Sequence, residues 1–117
     1  MSWLLRDDEV LASLEVADGR SDRRRGLLAR DDFEGAILLV PARAVHTLGM
    51  RFDLDIAYCA TATVPDGPEV LLVLETVRMH RHRIGRPRLR ARAVLEAEAG
   101  AFGRWGLQPG DRLEVKL

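Results

Sequence analysis

The sequence predicts an all-β fold, a β-sandwich or jelly-roll-like barrel of about six or seven strands with two short helices. Short apolar or alternating segments recur along the chain and are separated by turns rich in Gly, Pro and Asp. Strands do not alternate regularly with long helices, which argues against a parallel α/β sheet. With 117 residues, 47% of them hydrophobic, the chain can form one substantial core. We therefore expect a single domain over residues 1–117.

The first half of the chain contains two predicted strands with a helix between them. From Val10 to Val16 apolar residues alternate with more polar ones, which is typical of a half-buried strand. Residues 22–30 form the predicted helix, with Ser21 as its N-cap. The run AILLV, closed by Pro41, is wholly apolar and predicts a strand buried on both faces.

The second half predicts a hairpin, a further strand, a helix and a closing strand. Residues 52–77 form the hairpin around the turn signal VPDGP. RLRARAVLE predicts a strand that starts with Leu89 on its apolar face. A short helix is predicted near residues 98–105. LQPGDRLEVKL then gives a turn and a last strand that buries Leu113, Val115 and Leu117.

Charge and cysteine content restrict the class of protein. The 18 basic and 18 acidic residues balance, so no global charge directs the protein to nucleic acid or to an anionic membrane, and any such partner would be recruited locally. The single cysteine, Cys59, excludes an internal disulfide. The amino terminus has the acidic residues DDE where a signal sequence would be apolar. We expect a soluble cytoplasmic protein without a membrane span or a cofactor.

Three sequence blocks resemble the uncharacterised family DUF192. They are RRRGLLARDDFEGAILLV, VHTLGMRFDLDIAYC and AVLEAEAGAFGRWGLQPGDRLEV, and they occur in the family's order from Arg23 to Val115. The Val-His-Thr-x-Gly-Met run is similar to one branch of the family. Asp53 stands where the family usually has proline. The resemblance implies a small β-sandwich or jelly-roll-like fold and brings neither an assigned activity nor catalytic residues.

The stretch VHTLGMRFDLDI contains the first group of candidate site residues. His46, Asp53 and Asp55 are residue types that serve as general acids, bases or metal ligands. Alternatively, Asp55 accepts hydrogen bonds from the turn at Gly49 or pairs with an arginine, and His46 is a structural donor. Since no further histidine or carboxylate lies at a defined spacing, the structural interpretation is favoured.

A second group lies in the arginine-rich segment 78–92, which contains no acidic residue. Guanidinium groups bind phosphates and carboxylates, but such a segment is also typical of a solvated strand face. Nucleic acid is not favoured, because no stacking aromatic residues interleave the arginines. His80 and His82 would face the same side of an extended segment, which is a weak signal for a metal.

These observations lead to two functional hypotheses. The first is a non-enzymatic binding or accessory module for a small anionic ligand or a protein partner, with the oligomeric state left open. The second is a metal-assisted or acid/base enzyme centred on His46 and Asp55. The candidate binding residues are His46, Thr47, Met50 and Asp55 in one pocket and Arg88, Arg90 and Arg92 on the arginine-rich face.

Overall fold

A computed structural model describes residues 2–17, 34–48, 50–65, 67 and 69–117. Within these residues there are seven strands and one short helix, as the all-β prediction required. The strands are β1 (Ser2–Arg6), β2 (Glu9–Ala17), β3 (Ala36–Leu39), β4 (Leu54–Thr63), β5 (Glu69–Met79), β6 (Ala93–Glu98) and β7 (Arg112–Lys116), and the helix is α1 (Ala101–Trp105). The predicted helix over residues 22–30 and the turn at Gly49 lie outside the described residues.

The seven strands form one closed barrel in the order β1-β2-β3-β6-β4-β5-β7. β7 returns to pair with β1, so every strand has two neighbours. The pairing of β2 with β3 is parallel and the others are antiparallel. The predicted hairpin is the pair β4 and β5, whose register joins Leu54 to Met79 and Thr63 to Glu69. Closure leaves no unpaired sheet edge in the barrel.

The barrel interior is filled by alternate side chains of the strands. Ala57 and Cys59 of β4 point inward and pack with Leu95 of β6 and Leu113 of β7. The helix α1 adds Phe102 to this core. These residues belong to the main hydrophobic core, in which each fully buried leucine contributes about 1.5 to 3 kcal/mol.

A second core lies against the outer surface of the barrel wall. Ile56 and Tyr58 of β4 point outward, yet both are fully buried. Met50 from the segment before β4 and Ala91 from the segment before β6 pack on them. One side of the barrel therefore has a second layer, which explains why six consecutive residues of β4, 54–59, are buried.

Four apolar residues are more exposed than the sequence predicted. Val10 of β2 is exposed because the register of β1 and β2 shifts between Leu4 and Leu5, which places Val10 on the opposite side from Ala12. Val16 lies near the end of β2 and is 37% exposed. Leu89 is 78% exposed and precedes β6, which begins only at Ala93. Leu117 is also exposed and lies beyond the end of β7. The predictions of a strand from Leu89 and of a buried Leu117 were wrong.

The predicted helix near residues 98–105 is confirmed as a shorter element. α1 lies between Gly100 and Gly106, both with positive φ. Positive φ strains residues that carry a Cβ, so the glycines suit these two positions. Among the described residues, no helix is long and apolar enough to cross a membrane.

Candidate functional site

The second layer consists of two polar segments that hydrogen-bond to each other. We call residues 41–48 and 80–92 the loop layer. The amide of Thr47 donates to the Arg83 carbonyl at 2.8 Å, and that of Gly85 donates to the Val45 carbonyl at 2.9 Å. The Arg88 amide donates to the Arg43 carbonyl at 2.8 Å. These bonds form an irregular two-stranded cover over the outer core.

Thr47 holds the two segments together from a fully buried position. Its Oγ1 donates to the His80 carbonyl at 2.6 Å and accepts a hydrogen bond from the Arg83 amide at 2.8 Å. Its carbonyl accepts from the His82 amide at 2.9 Å. Thr47 therefore satisfies the backbone of a tight turn, and its hydroxyl faces protein rather than a pocket.

His46, Thr47 and Met50, predicted to share a pocket, occupy different environments. His46 is exposed and forms an isolated antiparallel bridge with Ile84. Met50 is buried in the outer core beside Leu54, so it contributes to packing. The sequence placed these residues together because they are close along the chain, but consecutive loop residues point in different directions.

Asp55 joins β4 to the start of α1. Its Oδ2 accepts hydrogen bonds from the amides of Gly100 at 2.9 Å and Phe102 at 3.1 Å. Its Oδ1 accepts from Arg78 Nε at 3.1 Å, and the Asp55 side chain is buried. The ion pair with Arg78 agrees with the prediction that Asp55 has a structural role. Among the described residues, the turn that donates to Asp55 is the one at Gly100. Both carboxylate oxygens are thus occupied by protein donors.

Asp53 makes a separate cluster at the carboxyl end of β5. Its Oδ1 accepts from the Arg81 amide at 2.9 Å, and its Oδ2 lies 3.1 Å from His80 Nδ1. The hydrogen bond with His80, followed by that from the Arg81 amide, lowers the pKa of Asp53. Asp53 and His80 therefore stabilise the turn that follows β5.

The predicted histidine pair does not form an extended, same-sided arrangement. His82 has a φ of 63° and lies in a turn, whereas His80 binds Asp53. Within the described ranges, no group of three or more His, Cys, Asp or Glu side chains is placed to hold a metal ion.

Arg88 faces the barrel wall instead of solvent. Its guanidinium carbon lies 4.3 Å from the centre of the Tyr58 ring, and its Nε donates to Glu75 Oε2 at 2.6 Å. The hydrogen bond to Glu75 raises the pKa of Arg88. Gly85 also packs against Tyr58. A Cβ at Gly85 would come within 2.9 Å of the Val45 carbonyl oxygen and 3.1 Å of Tyr58 Oη. This close approach requires a residue without a side chain.

Tyr58 and Glu96 are buried polar residues that sequence reasoning missed. The Tyr58 hydroxyl has no hydrogen-bond partner among the described residues, and burial raises the pKa of Tyr58. Glu96 of β6 is 3% exposed on the same outer face, and burial raises its pKa to about 7. The signal in the sequence was a carboxylate between the apolar residues Leu95 and Ala97 of β6.

Replacement of Tyr58 by Phe tests the energetic role of its hydroxyl. Because an unpaired buried hydroxyl is unfavourable, Tyr58→Phe should leave the free energy of unfolding unchanged or raise it by about 1 kcal/mol. The ring and its contact with Arg88 remain in the variant. The measurement is urea unfolding of both proteins. A loss of stability would contradict the assignment and would reveal a partner for the hydroxyl.

Five arginines of the loop layer form no ion pair with a carboxylate of the described residues. By contrast, Arg78, Arg81 and Arg88 form ion pairs with Asp55, Asp53 and Glu75, respectively. The five without an ion pair are all exposed, and we call them the arginine set: Arg43, Arg83, Arg86, Arg90 and Arg92. Of the three arginines predicted to bind an anion, Arg90 and Arg92 belong to the arginine set, whereas Arg88 pairs with Glu75.

The fold and this site define a small closed β-barrel protein with a basic loop layer over one side of its wall. The chain belongs to the DUF192 family, whose model, described as "Uncharacterized ACR", matches residues 4–115. The family resemblance seen in the sequence is thereby confirmed. No curated protein matches the chain significantly.

Two solved structures have a similar fold. One, from Sinorhizobium meliloti, is described as a "putative transcription regulator"; it is 24% identical, with a TM-score of 0.73, and the match covers 97% of this chain and 91% of that one. The other, from Novosphingobium aromaticivorans, is of unknown function; it is 18% identical, with a TM-score of 0.69 and coverage of 97% and 82%. At these identities the similarity concerns the fold alone.

Proposed function

We propose that the protein is a non-enzymatic binding module whose loop layer holds the anionic groups of a partner. The observation that carries this proposal is the arginine set, because its members lack ion-pair partners among the described residues. Each guanidinium offers a planar fork of donors that fits a carboxylate or a phosphate. Since the whole chain has zero formal charge, the attraction would be local to this surface.

The enzyme hypothesis has less support. Three hydrogen bonds, two to Oδ2 and one to Oδ1, fix the Asp55 carboxylate to α1 and to Arg78, which is the arrangement of a structural acceptor. His46 is exposed on the loop layer and is bridged to Ile84 rather than facing Asp55. A binding role requires no such convergence of catalytic groups.

Neutralising part of the arginine set tests the proposal. Arg43, Arg86 and Arg90 are suitable because the described structure gives their guanidinium groups no hydrogen bond or ion pair. Replacing all three by Gln should weaken binding of poly-L-glutamate about tenfold, because each exposed charge pair contributes about 0.5 kcal/mol to the binding free energy. The measurement is fluorescence anisotropy of labelled poly-L-glutamate at fixed ionic strength.

A matched variant controls for the loss of charge. Arg104→Gln, Arg112→Gln and Lys116→Gln together remove three positive charges from exposed positions on α1 and β7. This variant should bind poly-L-glutamate like the wild type; equal weakening would contradict a localised site. Duplex DNA serves as a second probe, because the Sinorhizobium protein is described as a transcription regulator. Stronger binding of DNA than of poly-L-glutamate would make a nucleic acid the anionic partner.

A further inference from the structure

We propose that the loop layer docks on an anionic lipid surface, with Ile84 and Leu89 entering the interface between headgroups and acyl chains. The proposal rests on the anion-binding function and adds the identity of the anionic partner. In this contact the barrel stays folded and only the loop layer touches the lipid. Two features carry it: the outward orientation of these two apolar side chains, and the arginines that flank them.

Contacts with the barrel wall determine which residues of the segment 84–91 face outward. Gly85, Arg88 and Ala91 face inward: Gly85 packs beside Tyr58 and Met79, Arg88 stacks on Tyr58, and Ala91 is fully buried. The neighbouring side chains cannot point in the same direction. Ile84 and Leu89 are consequently 75% and 78% exposed.

After Leu117, these are the two most exposed large hydrophobic residues among the described residues. Leu48, on the other segment of the loop layer, adds a third exposed apolar side chain. A folded protein partner would need fixed pockets to receive side chains that stand out from a surface, whereas the lipid interface deforms around them. The exposed apolar side chains therefore favour a lipid surface over a rigid protein surface as the partner.

The charges beside these residues fit the headgroups of anionic lipids. Arg83 precedes Ile84, and Arg90 follows Leu89, with Arg86 between the two. Each arginine near an anionic surface contributes about fivefold in affinity. The arginines and the aliphatic side chains together provide one electrostatic and one apolar signal for membrane binding.

Vesicle sedimentation of the full chain tests the proposal. The wild type should bind vesicles of equal parts phosphatidylcholine and phosphatidylserine and should not bind phosphatidylcholine alone. Replacing Ile84 and Leu89 together by Ser should lower the partition coefficient about tenfold or more through lost apolar burial. Replacing Arg43, Arg86 and Arg90 together by Gln should lower it about a hundredfold.

Two comparisons separate the lipid proposal from the proposed function. The Ile84→Ser, Leu89→Ser variant should keep wild-type binding of poly-L-glutamate, and Val10→Ser with Leu72→Ser, exposed on strands of the barrel, should keep vesicle binding. Wild-type binding of poly-L-glutamate without vesicle binding would overturn the lipid proposal alone. Binding of neither probe would overturn both. Equal vesicle binding by the Ile84→Ser, Leu89→Ser variant would overturn the role of the apolar residues.

Discussion

Replacement of Asp55 by Ala should lower the free energy of unfolding by about 3 kcal/mol, because it removes a charged acceptor of three hydrogen bonds. The amides of Gly100 and Phe102 would lose their partner at the start of α1. For a domain of this size, that loss should lower the melting temperature by about 10 °C. Thermal unfolding followed by far-ultraviolet circular dichroism measures it.

Two further variants show whether Asp55 acts by accepting these bonds. Asp55→Asn keeps one acceptor oxygen and should destabilise less than Asp55→Ala. Asp53→Ala removes a carboxylate two residues away that is partly exposed and pairs with His80 and the Arg81 amide. It should cost less than about 1 kcal/mol. If Asp55→Ala melts like the wild type, the carboxylate does not hold α1 to the barrel.

The strands were predictable because their signals are local. The alternation in β4 and the turn signal VPDGP identify the hairpin of β4 and β5, and the apolar run of β3 predicts its burial. The order of the barrel was not predictable in the same way. The parallel pairing of β2 with β3 and the placement of β6 between β3 and β4 join residues far apart in sequence. Local periodicity contains no information about such partners.

The loop layer explains most of the errors about the site. Arginine alternates with other residues around Leu89, which is the period of a strand. The segment nevertheless lies outside the sheet, since β6 begins only at Ala93, and its Arg88 stacks on Tyr58. The sequence does not distinguish an arginine that faces the wall from one that faces solvent. Only the contacts of Gly85 and Ala91 establish the inward side of this segment.

Packing on the outer face of the barrel wall explains why Glu96 was missed. On a barrel with a single wall, an outward glutamate in β6 would be an ordinary solvated residue. Here its cross-strand neighbours are Ile37 and Ile56, both buried in the outer core. A carboxylate in that position is buried by packing on the outer face of the wall, which the strand's own sequence does not encode.

Glu96 should make the stability of the protein fall as pH rises from about 4.5 to about 7. Burial raises the pKa of its carboxyl from 4.5 to about 7, so the folded protein retains a proton that the unfolded chain has lost. Between these two values ionisation stabilises the unfolded chain and not the folded protein, so the free energy of unfolding falls as pH rises. The contribution is absent below pH 4.5 and reaches a cost of about 3 kcal/mol above pH 7.

Glu96→Gln removes this titration and should be the more stable protein above pH 7. The stability difference between variant and wild type should grow by about 3 kcal/mol between pH 4.5 and pH 8, because other titrating groups contribute equally to both proteins. Urea unfolding across this range measures the difference. Glu98→Gln, which removes a charge from the end of the same strand, controls for net charge. A constant difference across pH, or the same trend in Glu98→Gln, would contradict the assignment, because the effect depends on burial of the Glu96 carboxyl.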